Sequence, residues 1–328
     1  MPFLALALLL AIPARAMGIT VIQADDLPAH VEFVRQLKDS QDPSGNFMLV
    51  RVGPRGTGPA ANANADVTGV EDDRVAGVRT RGGRATGYGS GALPASITIA
   101  VGIDAARAAL DRPGTEPLLL AMLSRLDYER LKGNAGLRRV DRRVGVLLRD
   151  PAMADAVELV DAVLPHKRRL GMVVTDESEP LLQEVRRAAP GWDLQVEYAP
   201  DPRSLARALR SLLPRSDALL VLPDLIGDDQ AATLAVLRAA ATAGVPVFGA
   251  NDGLVRSGGL AAAVSTPALL ARQARVLGRK VMAGGGSGGA LVETATPATV
   301  RVNVTVARAL GLRLPDEREL TERVTAVR

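Results

Sequence analysis

The stretch RLGMVVTDESEPLLQEVRRAAPGWDLQVEYAPDPRSLARALRSLLPRSDALLVLPDLIGDDQAATLAVLRAAATAGVPVFGANDG, residues 169–253, decides the fold class. Short apolar runs alternate in it with segments of helical period. Arg169–Thr175, Leu194–Tyr198, Ala218–Leu222 and Val245–Ala250 read as strands; Pro180–Ala189, Ser204–Leu213 and Asp229–Ala243 read as helices. Strands that are apolar throughout are buried on both faces. Joined by helices, they belong to a parallel sheet covered on both sides.

The same alternation precedes it. Gly18–Ala24, Phe47–Val52, Ala95–Gly102, Pro117–Leu123 (PLLLAML) and Val144–Leu148 read as strands, and Pro28–Lys38, Asp104–Leu110 and Met153–Leu164 as helices. The predicted class is therefore α/β with two doubly wound parallel sheets. Further on come an amphipathic helix over Thr266–Ala283, a glycine-rich linker at 284–289, a short strand at Val300–Val302 and a helix opened by Asn303.

Two segments stand outside this pattern. Phe3–Ile12 is apolar but shorter than the roughly 20 residues that span a bilayer. Pro13 and Ala14-Arg15-Ala16 follow it, which reads as a secretory signal peptide cleaved after Ala16, although no Lys or Arg precedes the run. Residues 53–93, rich in Gly, Arg, Ala and Asn, show neither helical nor strand period. They read as a long disordered surface loop or as a frameshifted segment.

Composition narrows the function. The 328 residues are 47% hydrophobic and 23% charged, a folded composition. There is no cysteine, which excludes disulfides and thiolate chemistry, and the only histidines are His30 and His166. Both are expected on helix surfaces. With four Phe, three Tyr and one Trp, base stacking on aromatic platforms is disfavoured, and the formal charge of +4 is no dense basic surplus. No nucleic-acid partner is expected, and no catalytic group, metal or cofactor is identified.

In parallel α/β sheets ligands bind beyond the carboxyl ends of strands. Here those ends carry Asp25 and Asp26, Gly102 and Asp104, Ser124, Asp176, Asp224, and Asn251 with Asp252. Each of them is also a common helix-capping type. Their repeated placement at strand ends marks them as candidate ligand-binding residues, with helix amides behind them suited to a carboxylate or phosphate.

Several motifs, taken in order, resemble the ABC-transporter substrate-binding protein family, whose known ligands include aromatic amino acids. They are ITVIQADDLPAHVEFVRQL, VGIDAARAAL, LPHKRRLGMVV, LVLPDLIGDDQAATLAVL, VPVFGANDGLVRSGGLAAAVSTPALLARQARVLGRKVMAG and VRVNVTVARALGLRLPDE. The resemblance implies a type I periplasmic binding-protein fold, two lobes joined by a hinge with a ligand in the interlobe cleft. It implies that Ser124 and helix amides hold a carboxylate and that one of the aspartates holds an ammonium group. Ser124-Arg125 stand where the family usually has Asp-Pro. The expected organisation is a signal peptide at 1–16, a first lobe at 17–138, a second lobe at 139–253, a return to the first lobe at 254–285, and a C-terminal segment at 286–328 on the second.

The function that follows is a periplasmic, monomeric solute-binding protein. It would take an amino-acid-like or carboxylate solute and serve an ABC permease of the inner membrane. A degenerate or sensor-type relative and a doubly wound α/β enzyme are the alternatives. Asp224→Ala and Asp104→Ala are expected to weaken binding with little loss of stability.

Overall fold

The computed structural model describes residues 18–41, 43, 45–53, 96–284, 289–297 and 299–326. The predicted signal peptide therefore lies outside the described residues, as does the irregular segment apart from Gly53. In chain order the elements are β1 (Gly18–Gln23), α1 (Pro28–Asp39), β2 (Phe47–Arg51), β3 (Ser96–Val101), α2 (Ile103–Leu110), β4 (Leu118–Leu123), α3 (Arg125–Leu131), β5 (Val144–Pro151) and α4 (Met153–Val163). Then follow β6 (Arg169–Val174), α5 (Glu179–Ala188), β7 (Asp193–Tyr198), α6 (Pro202–Leu212), β8 (Ala218–Leu220), α7 (Leu225–Asp228), α8 (Gln230–Ala243), β9 (Val247–Gly249) and α9 (Asp252–Arg256). The chain closes with β10 (Ala261–Val264), α10 (Pro267–Met282), β11 (Leu291–Ala295), β12 (Thr299–Val302), α11 (Val304–Ala309) and α12 (Glu317–Ala326).

These strands form two six-stranded sheets, in the orders β11-β5-β4-β3-β1-β2 and β12-β10-β9-β8-β6-β7. The first is parallel throughout. The second is parallel except for β12, which runs antiparallel to β10. Each sheet is thus wound in the same order, and each is covered on both faces. On the first, Phe33 and Leu37 of α1 pack with Leu270, Leu277 and Val281 of α10. The alanines Ala105, Ala106 and Ala109 of α2 cover its opposite face. On the second, α4, α5 and α12 share one face, and α6 and α8 the other. Each leucine-sized side chain buried this way contributes roughly 1.5–3 kcal/mol. Gly145 shows how close the layers come: a Cβ there would stand 2.6 Å from Val281 Cγ2. Among the described residues no helix is long and apolar enough to cross a membrane.

Three of the expected lobe boundaries are corrected. β5 belongs to the first sheet, beside β4, so the first crossing comes after Pro151 and not near residue 139. β10 belongs to the second sheet, so the return crossing lies between Val264 and Pro267, not at 254. β11 closes the first sheet beside β5, so residues 291–295 do not lie with the second lobe. The reason is topological. Ala261–Val264 (AAAV) and Leu291–Ala295 (LVETA) are short, unremarkable runs, and only their pairing partners make them strands.

Candidate functional site

Parallel strand order places the loops that follow β1, β3, β4 and β5 on one edge of the first sheet, and those that follow β6, β7, β8 and β9 on one edge of the second. Ion pairs show that these edges meet. Arg149, near the carboxyl end of β5, donates to Asp228 of α7 at 2.8 Å. Arg125 of α3 reaches Glu184 of α5 at 3.1 Å. Arg130 of α3 pairs with Glu177, in the loop after β6. In all three pairs the arginine belongs to the first lobe and the carboxylate to the second.

On the first-lobe edge the structure brings Asp25, His30 and Gly102 together. His30 Nδ1 and Asp25 Oδ1 are 2.7 Å apart, and the Leu27 amide donates to the same oxygen at 3.1 Å. His30 is 5% exposed, so its expected place on a helix surface is corrected: it faces inward, against the loop after β3. Gly102 has φ +82°. A Cβ there would stand 2.7 Å from His30 Cε1. Glycine is needed both for the dihedral and for the close approach. Its own amide is taken by the Ala121 carbonyl at 3.0 Å. The N-cap Gly102 has no side chain to cap α2, and among the described residues none does so in its place, which leaves its first-turn amides for an incoming acceptor beside the Asp25–His30 pair.

The other first-lobe candidates are placed differently. Asp26 is exposed and pairs with Arg51. Asp104 is exposed and lies 3.6 Å from Arg107. Ser124 is buried and caps α3 reciprocally with Asp127, each side chain accepting from the other's amide at 3.0 Å. Just before it, Met122 has φ +61°, where the β4–β5 register shifts. Ala121 and Met122 consequently face the same side of the sheet, against α10. A non-glycine residue there costs on the order of 1–2 kcal/mol, and the bulge re-aims the chain into Ser124.

On the second-lobe edge, Asp224 is 1% exposed. Ser178 donates to its Oδ2 at 2.5 Å, and the amides of Ile226 and Gly227 donate to its Oδ1 at 2.9 and 3.1 Å. Burial raises its pKa; the Ser178 hydroxyl and the two amides oppose that shift. The carboxylate is an internal knot tying the loop after β6 to the loop after β8. The expectation that Asp224→Ala leaves stability intact is therefore corrected. Asp176 is exposed. Asn251 caps α9 through the Leu254 amide, and Asp252 pairs with Arg256 at 2.8 Å. Beside this edge a cavity of about 150 Å³ is lined by Thr175, Pro200, Leu225 and Ile226, with the capping carboxylates Asp201 and Asp229.

Between the edges lies a group that the sequence reading passed over. Asp150 Oδ2 is buried; among the described residues no donor comes within hydrogen-bond distance of it, and Arg149 Nε stands 3.7 Å away. Burial pushes the Asp150 carboxyl up to about 6; Arg149 opposes the shift, while Asp228 and Asp127 add to it. Burial also disfavours the charge on Arg149, but Asp150, Asp228 and Asp127 more than offset it. The signal was present. Val144–Leu148 runs on into Arg149-Asp150-Pro151, a charged strand end like the others. Among the described residues no group of three or more His, Asp or Glu is placed to hold a metal ion.

The model of a family described as ABC transporter substrate binding protein matches residues 144–323, more than half of the chain. No curated protein sequence matches significantly. A ligand-free, open substrate-binding protein with adhesive properties from Clostridium difficile superposes with a TM-score of 0.62 at 17% identity, covering 91% of this chain and 96% of that one. The ABC domain from Streptococcus pneumonia in complex with L-Trp does so at 0.55 and 15%, covering 92% and 96%. A conserved domain protein from Vibrio cholerae gives 0.55 and 18%, covering 94% and 98%. At these identities the likeness concerns the fold, two parallel-sheet lobes of the type I periplasmic binding-protein kind.

Proposed function

Since the chain belongs to the ABC transporter substrate binding protein family, we propose that it is exported to the periplasm and captures a small organic solute between its lobes for an ABC importer. The solute class is amino-acid-like or a carboxylate. The observation that carries this reading is the meeting of two unlike edges. The first offers uncapped amides of α2 beside Asp25 and His30, suited to a carboxylate. Where the edges meet, Asp150 at the end of β5 and, across the cleft, Asp228 of α7 supply negative charge for an ammonium group. Hinge closure around the solute then brings both edges onto it, and the permease reads the closed form.

The test is thermal unfolding of the mature chain against amino acids and small organic acids. A bound solute raises the melting temperature by mass action, by about 2.7 kcal/mol of added stability at a hundredfold excess over Kd. A full panel without any shift would overturn the reading, and turnover of a compound would replace it with an enzymatic one.

A further inference from the structure

Away from the cleft, at the amino ends of β5 and β11, a cavity of about 430 Å³ opens beside α3. Its wall holds Lys132, Arg138, Arg139, Arg142 and Arg143, with the ring of Tyr128. Four of the five cations come from one loop, Arg-Arg-Val-Asp-Arg-Arg at 138–143.

Their charges are only partly matched. Arg139 is held by Asp141 in a two-point pair at 3.0 and 2.6 Å. Lys132 pairs with Glu129 at 2.6 Å, a carboxylate it shares with Arg125. The other three guanidiniums find only main-chain carbonyls among the described residues. Arg138 reaches the Lys132 carbonyl at 3.4 Å. Arg142 donates to the carbonyls of Glu116 at 3.1 Å and Ala109 at 2.9 Å, and Arg143 donates to that of Met282. Arg142 is buried, at 6% exposure, and a buried cation without a carboxylate against it is costly. Burial, and then Arg139, hold its pKa below the usual value; Glu116 and Asp141 offset only part of that. Tyr128 adds an aromatic wall already facing a cation, with Lys132 Nζ 5.3 Å from its ring centre. Val140 stands fully exposed in the middle of the loop.

We propose that this pocket is a second binding site, separate from the cleft, for a phosphate-bearing ligand. Three guanidiniums without carboxylate partners exceed what one carboxylate would neutralise. A phosphate group carries up to two charges and offers several oxygens to their planar forks. A soluble phosphate compound or a phospholipid headgroup supplies the same chemistry, and for a headgroup Val140 would meet the apolar boundary beneath it. The site does not depend on what the cleft binds, so a failed solute screen leaves it standing.

The full chain is titrated calorimetrically with inorganic pyrophosphate and cosedimented with phosphatidylglycerol vesicles, phosphatidylcholine vesicles serving as the neutral control, all at low ionic strength. Binding to pyrophosphate or to the anionic vesicles is expected, weakening with added salt. Arg138→Glu/Arg143→Glu is expected to lower it about tenfold or more. Both side chains are exposed; Arg138→Glu alone, which gives up one contact at 3.4 Å, keeps the test valid if the pair disturbs the fold. Vesicle binding without pyrophosphate binding assigns a headgroup, and pyrophosphate binding assigns a soluble phosphate. Absence of binding to both probes, or binding undiminished in either well-folded variant, overturns the proposal.

Discussion

The two cleft edges are built from the same kind of sequence and put to different use. Each sheet follows the same strand order, and each presents an aspartate in the loop after a buried strand. In the second lobe that residue, Asp224, is sealed under the surface with three protein donors on its oxygens. In the first, Asp25 keeps a side chain that is 35% exposed and, among the described residues, pairs with the side chain of His30 alone. The contrast teaches that an acidic strand end has no fixed meaning. A carboxylate saturated by amides and a hydroxyl holds loops together, whereas one left at the rim beside uncapped amides keeps part of its surface open to solvent.

Substitution at each aspartate tests that contrast, and the largest effect is expected at Asp224. Asp224→Ala strands the Ile226 and Gly227 amides and the Ser178 hydroxyl in a buried place. It should cost about 3 kcal/mol in urea unfolding. Asp25→Ala should cost only about 1 kcal/mol yet remove most solute affinity. Equal destabilisation by the two would erase the distinction between the edges. Next in size is Gly102→Ala, which forces an L side chain into φ +82° against His30. A loss of about 2 kcal/mol is expected, and a neutral result would show that the Asp25–His30–Gly102 contact yields freely.

A pH series sharpens the picture at Asp150, between the edges. Its carboxyl titrates near 6 in the folded chain, above its ordinary value of 3.8. A raised carboxyl pKa means the folded state holds the proton more tightly. That contribution is complete below the ordinary value and is lost as pH rises through the folded one. Between about pH 4 and 6.5 the native chain should therefore lose stability relative to Asp150→Asn, on the order of 2 kcal/mol. Parallel curves for the two proteins would place the group outside the folded cluster. Smaller still are the effects at exposed charges. Asp104→Ala should stay within about 0.5 kcal/mol of the parent, since its pair with Arg107 is solvated. Each interlobe arginine pair should contribute about 0.2–1 kcal/mol, so added salt should enlarge the radius of gyration seen by small-angle scattering, and Arg149→Gln should reduce that response.

Much of the fold was legible because long buried strands announce themselves. PLLLAML and RLGMVVT need no partner to be recognised, and helices such as Pro267–Met282 carry their own cap and period. β10 and β11 were not legible, since four alanine-rich residues and LVETA become strands only by pairing with β9 and β5. The site divided along the same line. Asp25 and Gly102 were named from their place at strand ends, and the structure sets both against His30. Arg149, Asp150 and Asp228 escaped notice because their importance arises between lobes: Arg149 and Asp228 are distant in sequence, and Asp150 matters only once burial strips its water.

Residue types and their period along the chain, being local properties, were enough to establish an α/β chain of two parallel sheets with small polar strand ends. Which strand joins which sheet, where the chain crosses between lobes, and whether an aspartate is a knot or an open group were decided by tertiary structure alone. Those outcomes depend on contacts between distant residues and on burial. Burial changes the free energy of a charged group by more than any difference in its local sequence.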